Sequence, residues 1–315
     1  MNKFILRQSL LLFLTAVIWG VAFVAQSAGM DYVGPFTYNG VRCILGGMVL
    51  LPCIVILDRA RGRQRSEDAG YGGRRLFVGG LCCGVLLFAA SSFQQVGIQY
   101  TTVGKAGFIT AMYIIIVPVL GIFVHKKVGF KVWMGVAFAV CGLYLLCMMD
   151  GFQLEKGDAL LLVCAIIFSL HILVIDYFSP KVDGVRMSCV QFWICGILSM
   201  IVCFVFETPD IRSILAAWKP ICYGGFMSCG VAYTLQIVGQ KGMNPTVASL
   251  ILSLESVVSV IAGFLILHQT MSRRELFGCC LMVVAIVLAQ LPNRNEASTI
   301  NREKNGGSLT NADGV

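Results

Sequence analysis

Residues 8–27 read QSLLLFLTAVIWGVAFVAQS, twenty residues without a charge. A helix that crosses a bilayer needs about 20 mostly apolar residues to span a hydrocarbon core of about 30 Å. This stretch meets that need, and it is not alone. Similar runs occupy approximately 36–57, 76–98, 102–124, 130–149, 158–178, 186–206, 217–239, 245–267 and 273–290, which makes ten. Turn chemistry separates them: Gly34-Pro35, Asp150-Gly151, Pro180 with Asp183-Gly184, Pro209-Asp210 and Asn244-Pro245. The composition agrees. Of the 315 residues 57% are hydrophobic and 13% charged, where a soluble domain carries roughly a quarter charged residues. Mean hydropathy is +0.83. The expected fold class is an all-α polytopic membrane protein with ten transmembrane helices.

Residues 8–27 also admit a second reading, as a signal peptide. Lys3 and Arg7 precede the apolar run, and Ala25-Gln26-Ser27 is a passable cleavage site. The run is long for such a signal, and its sequence recurs later in the chain, so it is read as a retained helix. Basic residues then set the orientation. With the N-terminus in the cytoplasm, 17 of the 24 Lys and Arg fall on the cytoplasmic side. They include Arg59, Arg61, Arg63, Arg65, Arg74 and Arg75 in one short loop. The positive-inside rule therefore predicts both termini inside. The net charge of +8 becomes a topology signal facing anionic lipid, and no basic nucleic-acid surface is left to explain. The polar segment 291–315 is expected to be a disordered cytoplasmic tail.

Residues 8–149 reappear in 158–290. Shifting by 149 places Leu11-Leu12 on Leu160-Leu161, Val41 on Val190, Gly47 on Gly196 and Arg42 on Gln191. Slightly smaller shifts place Gly79-Gly80 on Gly224-Gly225, Ala106 on Ala248, Gly121 on Gly263 and Gly135 on Gly278. Each copy holds five helices. An odd number forces the second copy into the membrane upside down. Inverted repeats of this kind build secondary transporters with a substrate site near the midplane.

Several stretches resemble the EamA-type members of the drug/metabolite transporter (DMT) superfamily. Ile18-Trp19-Gly20 with Phe23 is similar to the first-helix signature, and Pro35 with Arg42 to the second helix. Gln95-Val-Gly97-Ile-Gln-Tyr-Thr101-Thr102-Val-Gly104-Lys105-Ala-Gly107-Phe108-Ile-Thr110, ending in Val117-Pro118, resembles the third and fourth. Leu254-Glu255-Ser256 and Gly278 fit the ninth and tenth. The resemblance covers about residues 8–290. It implies a transporter of small metabolites, amino acids or drugs, commonly exported, without naming the cargo. The chain departs from the family pattern at Ser256, where a Pro is frequent. It departs again at Lys126 or Lys127 and at Gln269, where a Glu often ends the helix.

Ionisable groups inside spans are costly and are functional candidates by default. Glu255 lies near the middle of the ninth span, on a small polar face with Ala248, Ser249, Leu252, Ser256, Ser259, Ala262 and Gly263. It either binds a cationic substrate group, carries a coupling proton, or is a structural acid held by its neighbours. Arg42 lies about 10 Å below the outer end of the second span at 1.5 Å per residue. It is a carboxylate or phosphate clamp, an ion-pair partner of Glu255, or an interhelix anchor beside Asn39. Tyr113 matches Glu255 under the repeat and either donates to substrate or fills space. His171 is a proton relay or a satisfied core histidine. Trp19 packs, or recognises a cation through its ring. Gln94, Gln95 and Gln191 line the path or bond between helices. Lys105 reads as snorkelling toward the outer surface. Pro118 removes a backbone bond and serves as hinge or packing feature. Gly80-x-x-x-Gly84 is a close-packing motif.

The 14 Cys all lie within or beside spans, with no C-x-x-C, and read as small apolar side chains. No metal or cofactor motif, phosphate loop or nucleophile elbow is present. The short loops leave no room for an ATPase domain, so transport must draw on gradients. The expectation is a monomeric or homodimeric secondary transporter in a bacterial cytoplasmic membrane. It would export a small-molecule substrate by alternating access, with protons as a candidate coupling ion and lipid as its surroundings. The alternatives are a flippase for lipid-linked substrates or an intramembrane enzyme. A receptor or chaperone would gain little from inverted symmetry.

Overall fold

The computed structural model describes residues 3–61, 73–123, 129–147, 156–267 and 272–290. Every regular element among them is helical. In chain order they are α1 (Lys3–Gly29), α2 (Pro35–Arg61), α3 (Gly73–Ile98), α4 (Val103–Thr110), α5 (Tyr113–Phe123), α6 (Phe130–Cys147), α7 (Lys156–Phe178), α8 (Gly184–Phe206), α9 (Ile211–Ala216), α10 (Trp218–Cys222), a π-helical segment (Tyr223–Tyr233), α11 (Thr234–Gln240), α12 (Pro245–Leu252), α13 (Leu254–Leu267) and α14 (Arg273–Gln290).

Eight crossings among the described residues are long and apolar enough to span a membrane. The pair α4–α5 makes one of them, and α12–α13 another. A third is α10, the π-helical segment and α11 together. At the other two expected crossings, 130–149 and 273–290, the described residues form shorter apolar helices, Phe130–Leu145 and Leu276–Leu288. Both adjoin residues outside the described set, and Lys126, Lys127, Gln269, Arg63, Arg65 and the 291–315 segment lie outside it.

Local chemistry sets the helix starts. Pro35 and Pro245 open α2 and α12, where a missing N–H costs nothing. Asn244 Oδ1 accepts from Thr246 N at 2.9 Å, Asp183 Oδ1 from Arg186 N at 3.0 Å, and Thr102 Oγ1 from Lys105 N at 3.3 Å. Each satisfies a backbone donor that the helix cannot.

In lipid, apolar burial does not drive helices together, because the tails are as apolar as leucine. Close approach at small residues and interhelical hydrogen bonds do. Gly80 and Gly84 of α3 show this against α8. A Cβ on Gly84 would come within 2.7 Å of Ile194 Cβ and 2.9 Å of the Gln191 carbonyl. Polar links then fix the register. Asn39 Nδ2 donates to Ser91 O at 3.0 Å, Gln95 Nε2 to Gln26 O at 3.1 Å, and Tyr223 Oη to Ile18 O at 3.0 Å. The packing is orderly: α2 lies along α8, α3 against α7 and α8, α1 against α13 and the π-helical segment, and α6 against α14. Large apolar side chains such as Phe123, Phe130, Phe204 and Phe206 remain exposed. A soluble surface would not carry them, but a lipid-facing one does.

Three of the crossings depart from the uninterrupted helices expected. The fourth breaks at Ala111-Met112 and the ninth at Ser253. At both places the backbone tightens to i→i+3 bonds, Ile114 N to Ala111 O at 3.0 Å and Ser256 N to Ser253 O at 3.2 Å. The eighth widens into the π-helical segment. Its small residues sit against α2, where a Cβ on Gly46 would come 2.5 Å from Cys229 Cβ.

Candidate functional site

The broken helices meet at mid-depth. Tyr113 is the first residue of α5 and Glu255 the second of α13, so Tyr113 directly follows the Ala111-Met112 break and Glu255 lies two residues beyond Ser253. Tyr113 Oη donates to Glu255 Oε1 at 2.9 Å. Both residues are buried. Serine chemistry shapes the ninth crossing around this contact. Ser253, Ser256 and Ser259 each donate to the carbonyl three residues back, at 2.8, 2.7 and 2.8 Å. Such back-bonding competes with the helix ladder and bends it. It also occupies the Ser256 and Ser259 hydroxyl protons. Neither serine lines the cavity described below, and Ser259 packs where a Cβ on Gly107 would come within 3.0 Å of its Oγ.

Glycine brings α1 to the same point. A Cβ on Gly20 would come 2.7 Å from the Glu255 carbonyl oxygen and would collide with Val258. Trp19 is thereby held over the site, with its ring centroid 4.5 Å from that of Tyr233.

These residues wall a small, narrow cavity. Trp19, Phe23 and Gln26 come from α1, Arg42 from α2 and Gln94 from α3. Thr110 and Tyr113 flank the fourth-helix break, and Leu252 and Glu255 the ninth. Phe168 and Ile172 of α7, with Ser228, Tyr233 and Gln236 of the eighth crossing, close it.

A basic and an acidic side chain share this cavity. Arg42 is 2% exposed. Its Nε donates to Asn39 Oδ1 at 3.0 Å, and its guanidinium lies 5.4 Å from the Tyr38 ring centroid. Asn39 in turn holds the Ser91 carbonyl. Arg42 is thus anchored from behind, and no carboxylate pairs with it among the described residues. The ion pair with Glu255 considered from sequence is not formed. Three more polar atoms are buried without a partner in residues of the wall: Trp19 Nε1, a donor, and the acceptors Gln26 Oε1 and Gln236 Oε1.

Other sequence candidates lie elsewhere. His171 is fully buried behind the wall. Its Nε2 is 3.2 Å from Gln191 Oε1, and its ring stands edge-on to Tyr233 at 6.2 Å. Gln95 bonds between helices. Pro118 sits inside α5, beyond the break at Ala111-Met112. Lys105 does more than snorkel, because its Nζ pairs with Asp158 Oδ2 at 2.7 Å.

Broken helices in matching positions of two halves, around a cavity with convergent polar groups, are how transporters build a binding site. Comparison with known proteins agrees. The model of the EamA-like transporter family matches residues 6–148 and again 155–291. The chain belongs to the EamA-like transporter family. It is thus a multi-pass membrane transporter. An uncharacterized transporter of Archaeoglobus fulgidus is 29% identical over 279 residues, covering 88% of this chain and 84% of its own. The inner membrane transporter YedA of Escherichia coli is 22% identical over 292 residues, 89% of each chain. A solved crystal structure superposes with a TM-score of 0.73 at 18% identity, over 90% of this chain and 96% of its own, which shows the shared fold.

Sequence reasoning about this EamA-family chain overlooked Tyr233, Gln26 and Gln236. A search for charge inside spans passes over neutral amides. The signal available was an amide in an apolar run with nothing nearby in sequence to satisfy it.

Proposed function

We propose that this protein exports small zwitterionic metabolites, amino acids and related compounds, by alternating access between two inverted five-helix halves. The observation that carries this is the Arg42 guanidinium, which pairs with no carboxylate among the described residues, facing the same cavity as the Glu255 carboxyl group. Among the described residues no ion pair joins the two groups. A ligand with a carboxylate for Arg42 and an ammonium for Glu255 would satisfy both. Gln26 Oε1 and Gln236 Oε1 offer the ammonium further acceptors, and Phe23 and Phe168 give an apolar body its place.

The inverted duplication has its own support. The packing exchanges under the repeat: α3 on α7 answers to the eighth crossing on α1, and α1 on α13 answers to α7 on α5. The two breaks, Ala111 and Ser253, are separated by the same 142 residues as Tyr113 and Glu255. The two stretches matched by the family model also divide the chain near 150. Outward movement, cytoplasmic termini and a bacterial cytoplasmic membrane follow from the family resemblance and the placement of basic residues. The Escherichia coli relative supports the membrane assignment.

Proton coupling is a second reading, favoured by the position of Glu255. One carboxylate cannot hold a proton and bond an ammonium as an ion at once. Competition for it would exchange inward protons for outward substrate.

Counterflow in proteoliposomes tests the substrate class. Tritiated L-leucine should accumulate against preloaded L-leucine. The methyl ester, which lacks the carboxylate, and 4-methylpentanoate, which lacks the amine, should fail to exchange. Equal exchange of either analogue would refute recognition of two charges.

A further inference from the structure

We propose that α2 and α8 form a fixed axle, closed at both membrane faces throughout the cycle, so that both vestibules open beside the broken helices instead. This rests on the alternating-access reading above and adds which helices stay together.

Two latches hold the pair. At one end Glu207, just after α8, caps the start of α2. Its Oε1 accepts from Phe36 N at 2.9 Å, and its Oε2 from Thr37 N at 2.8 Å and Thr37 Oγ1 at 2.6 Å. At the other end Arg186 Nη2 meets Asp58 Oδ2 at 2.8 Å. Residues 36 and 58 are separated by about 33 Å along a helix at 1.5 Å per residue, which is about the thickness of a bilayer core. The latches therefore sit at opposite faces.

They are also counterparts. The shift of 149 carries Thr37 to Arg186 and Asp58 to Glu207, so the repeat converts one latch into the other. The middle of the pair repeats the relation. A Cβ on Gly47 would meet Trp193 Nε1 at 3.1 Å, and one on Gly196 would meet Ile44 N at 3.2 Å. The same shift carries Gly47 to Gly196 and Ile44 to Trp193. Between them Cys43 Sγ and Cys195 Sγ are 3.5 Å apart.

Symmetry decides what this means. When two inverted halves exchange conformations, a contact present in one copy passes to its counterpart. A contact already present in both copies is unchanged by the exchange, so it cannot be the gate. Gates must lie where the copies differ. Lys105 pairs with Asp158 between α4 and α7, whereas their counterparts are Val247 and Ser9, which carry no charge. The asymmetry thus falls at the broken helices.

The native thiols provide the test. Diamide treatment of the full chain in proteoliposomes should join Cys43 to Cys195; diamide takes the two thiol hydrogens and is reduced to the hydrazine. Peptide mass spectrometry without reductant quantifies the link. The linked protein should keep L-leucine counterflow within about twofold of the reduced protein. A Lys105→Cys/Asp158→Cys protein, linked across α4 and α7, should lose counterflow and regain it with dithiothreitol. A Cys43–Cys195 link that stops counterflow reversibly overturns the axle. If the reduced protein shows no L-leucine counterflow, L-leucine is not its substrate, and amide hydrogen exchange of the native protein in nanodiscs decides the axle alone. Slow exchange at both ends of α2 and α8, with faster exchange at the first turns of α4 and α12, supports it. Exchange at the α2 and α8 ends as fast as in those turns overturns it. The same measurement decides the matter if diamide leaves the thiols unlinked.

Discussion

Tyr113 and Glu255, which the repeat proposed above pairs with each other, are joined, Tyr113 Oη donating to Glu255 Oε1 at 2.9 Å. Tyr113 directly follows the break at Ala111-Met112, and Glu255 lies two residues beyond that at Ser253. The contact therefore ties the two interrupted crossings together at the point where their backbones are least regular. A ligand ammonium arriving at Glu255 meets a carboxylate already oriented by the phenol.

Tyr113→Phe removes that hydrogen bond and keeps the ring. A hydrogen bond to a charged group is worth about 1.5–3 kcal/mol, which corresponds to about 10–100-fold in affinity. The expected result is a rise in KM for zwitterion counterflow of that size, with the protein still folded. An unchanged KM would mean that the phenol only fills space.

Arg42→Lys keeps the charge but loses the planar fork and the Nε link to Asn39. Lysine cannot reproduce two parallel hydrogen bonds to a carboxylate. KM for L-leucine should rise by about tenfold, equivalent to about 1.4 kcal/mol. Asn39→Ala should give a smaller rise, because it frees the guanidinium without replacing it. Competition measured with 4-methylpentanoate should weaken in parallel if the carboxylate is the group held.

The helical, membrane-spanning character was legible because length and apolarity carry it, and eight helices among the described residues are long and apolar enough to cross. The breaks were not. Ala111-Met112 contains no glycine or proline, and the nearest conspicuous residue, Pro118, lies inside a continuing helix. The interruption at Ser253 comes from serine hydroxyls bonding backward, and hydropathy does not register that. Glu255, Arg42, Tyr113 and Trp19 stand out in the sequence because charge or ring chemistry inside a membrane is conspicuous, and all four line the cavity. His171 was conspicuous for the same reason, yet a neutral amide, Gln191, meets it behind the wall. Gln236 was missed because an amide looks the same in sequence whether its partner is a helix or a substrate.

Gly20→Ala should destabilise the fold and disturb the site together. The added methyl would come 2.7 Å from the Glu255 carbonyl oxygen and collide with Val258, so α1 must move away. Overpacking of this kind costs about 1–3 kcal/mol. The Tm of the detergent-solubilised protein should fall, and counterflow should fall with it. Gly104→Ala is the control, since its new methyl would have only Val260 Cγ2 nearby, at 3.8 Å. It should leave Tm and counterflow as they are.

Glu255→Gln separates binding from coupling. The amide has nearly the shape of the carboxyl and accepts from Tyr113, but it cannot take up and release a proton. If Glu255 exchanges a proton for substrate, the variant should lose accumulation driven by a pH gradient. It should retain solute-for-solute counterflow at a raised KM, because a neutral amide holds an ammonium less tightly than a carboxylate does. Loss of both activities would place Glu255 in binding and leave the coupling ion elsewhere. Full retention of gradient-driven accumulation would remove Glu255 from the coupling path, whatever its effect on KM. Measuring both activities on the same vesicles, with the gradient imposed and then collapsed by a protonophore, distinguishes the three results.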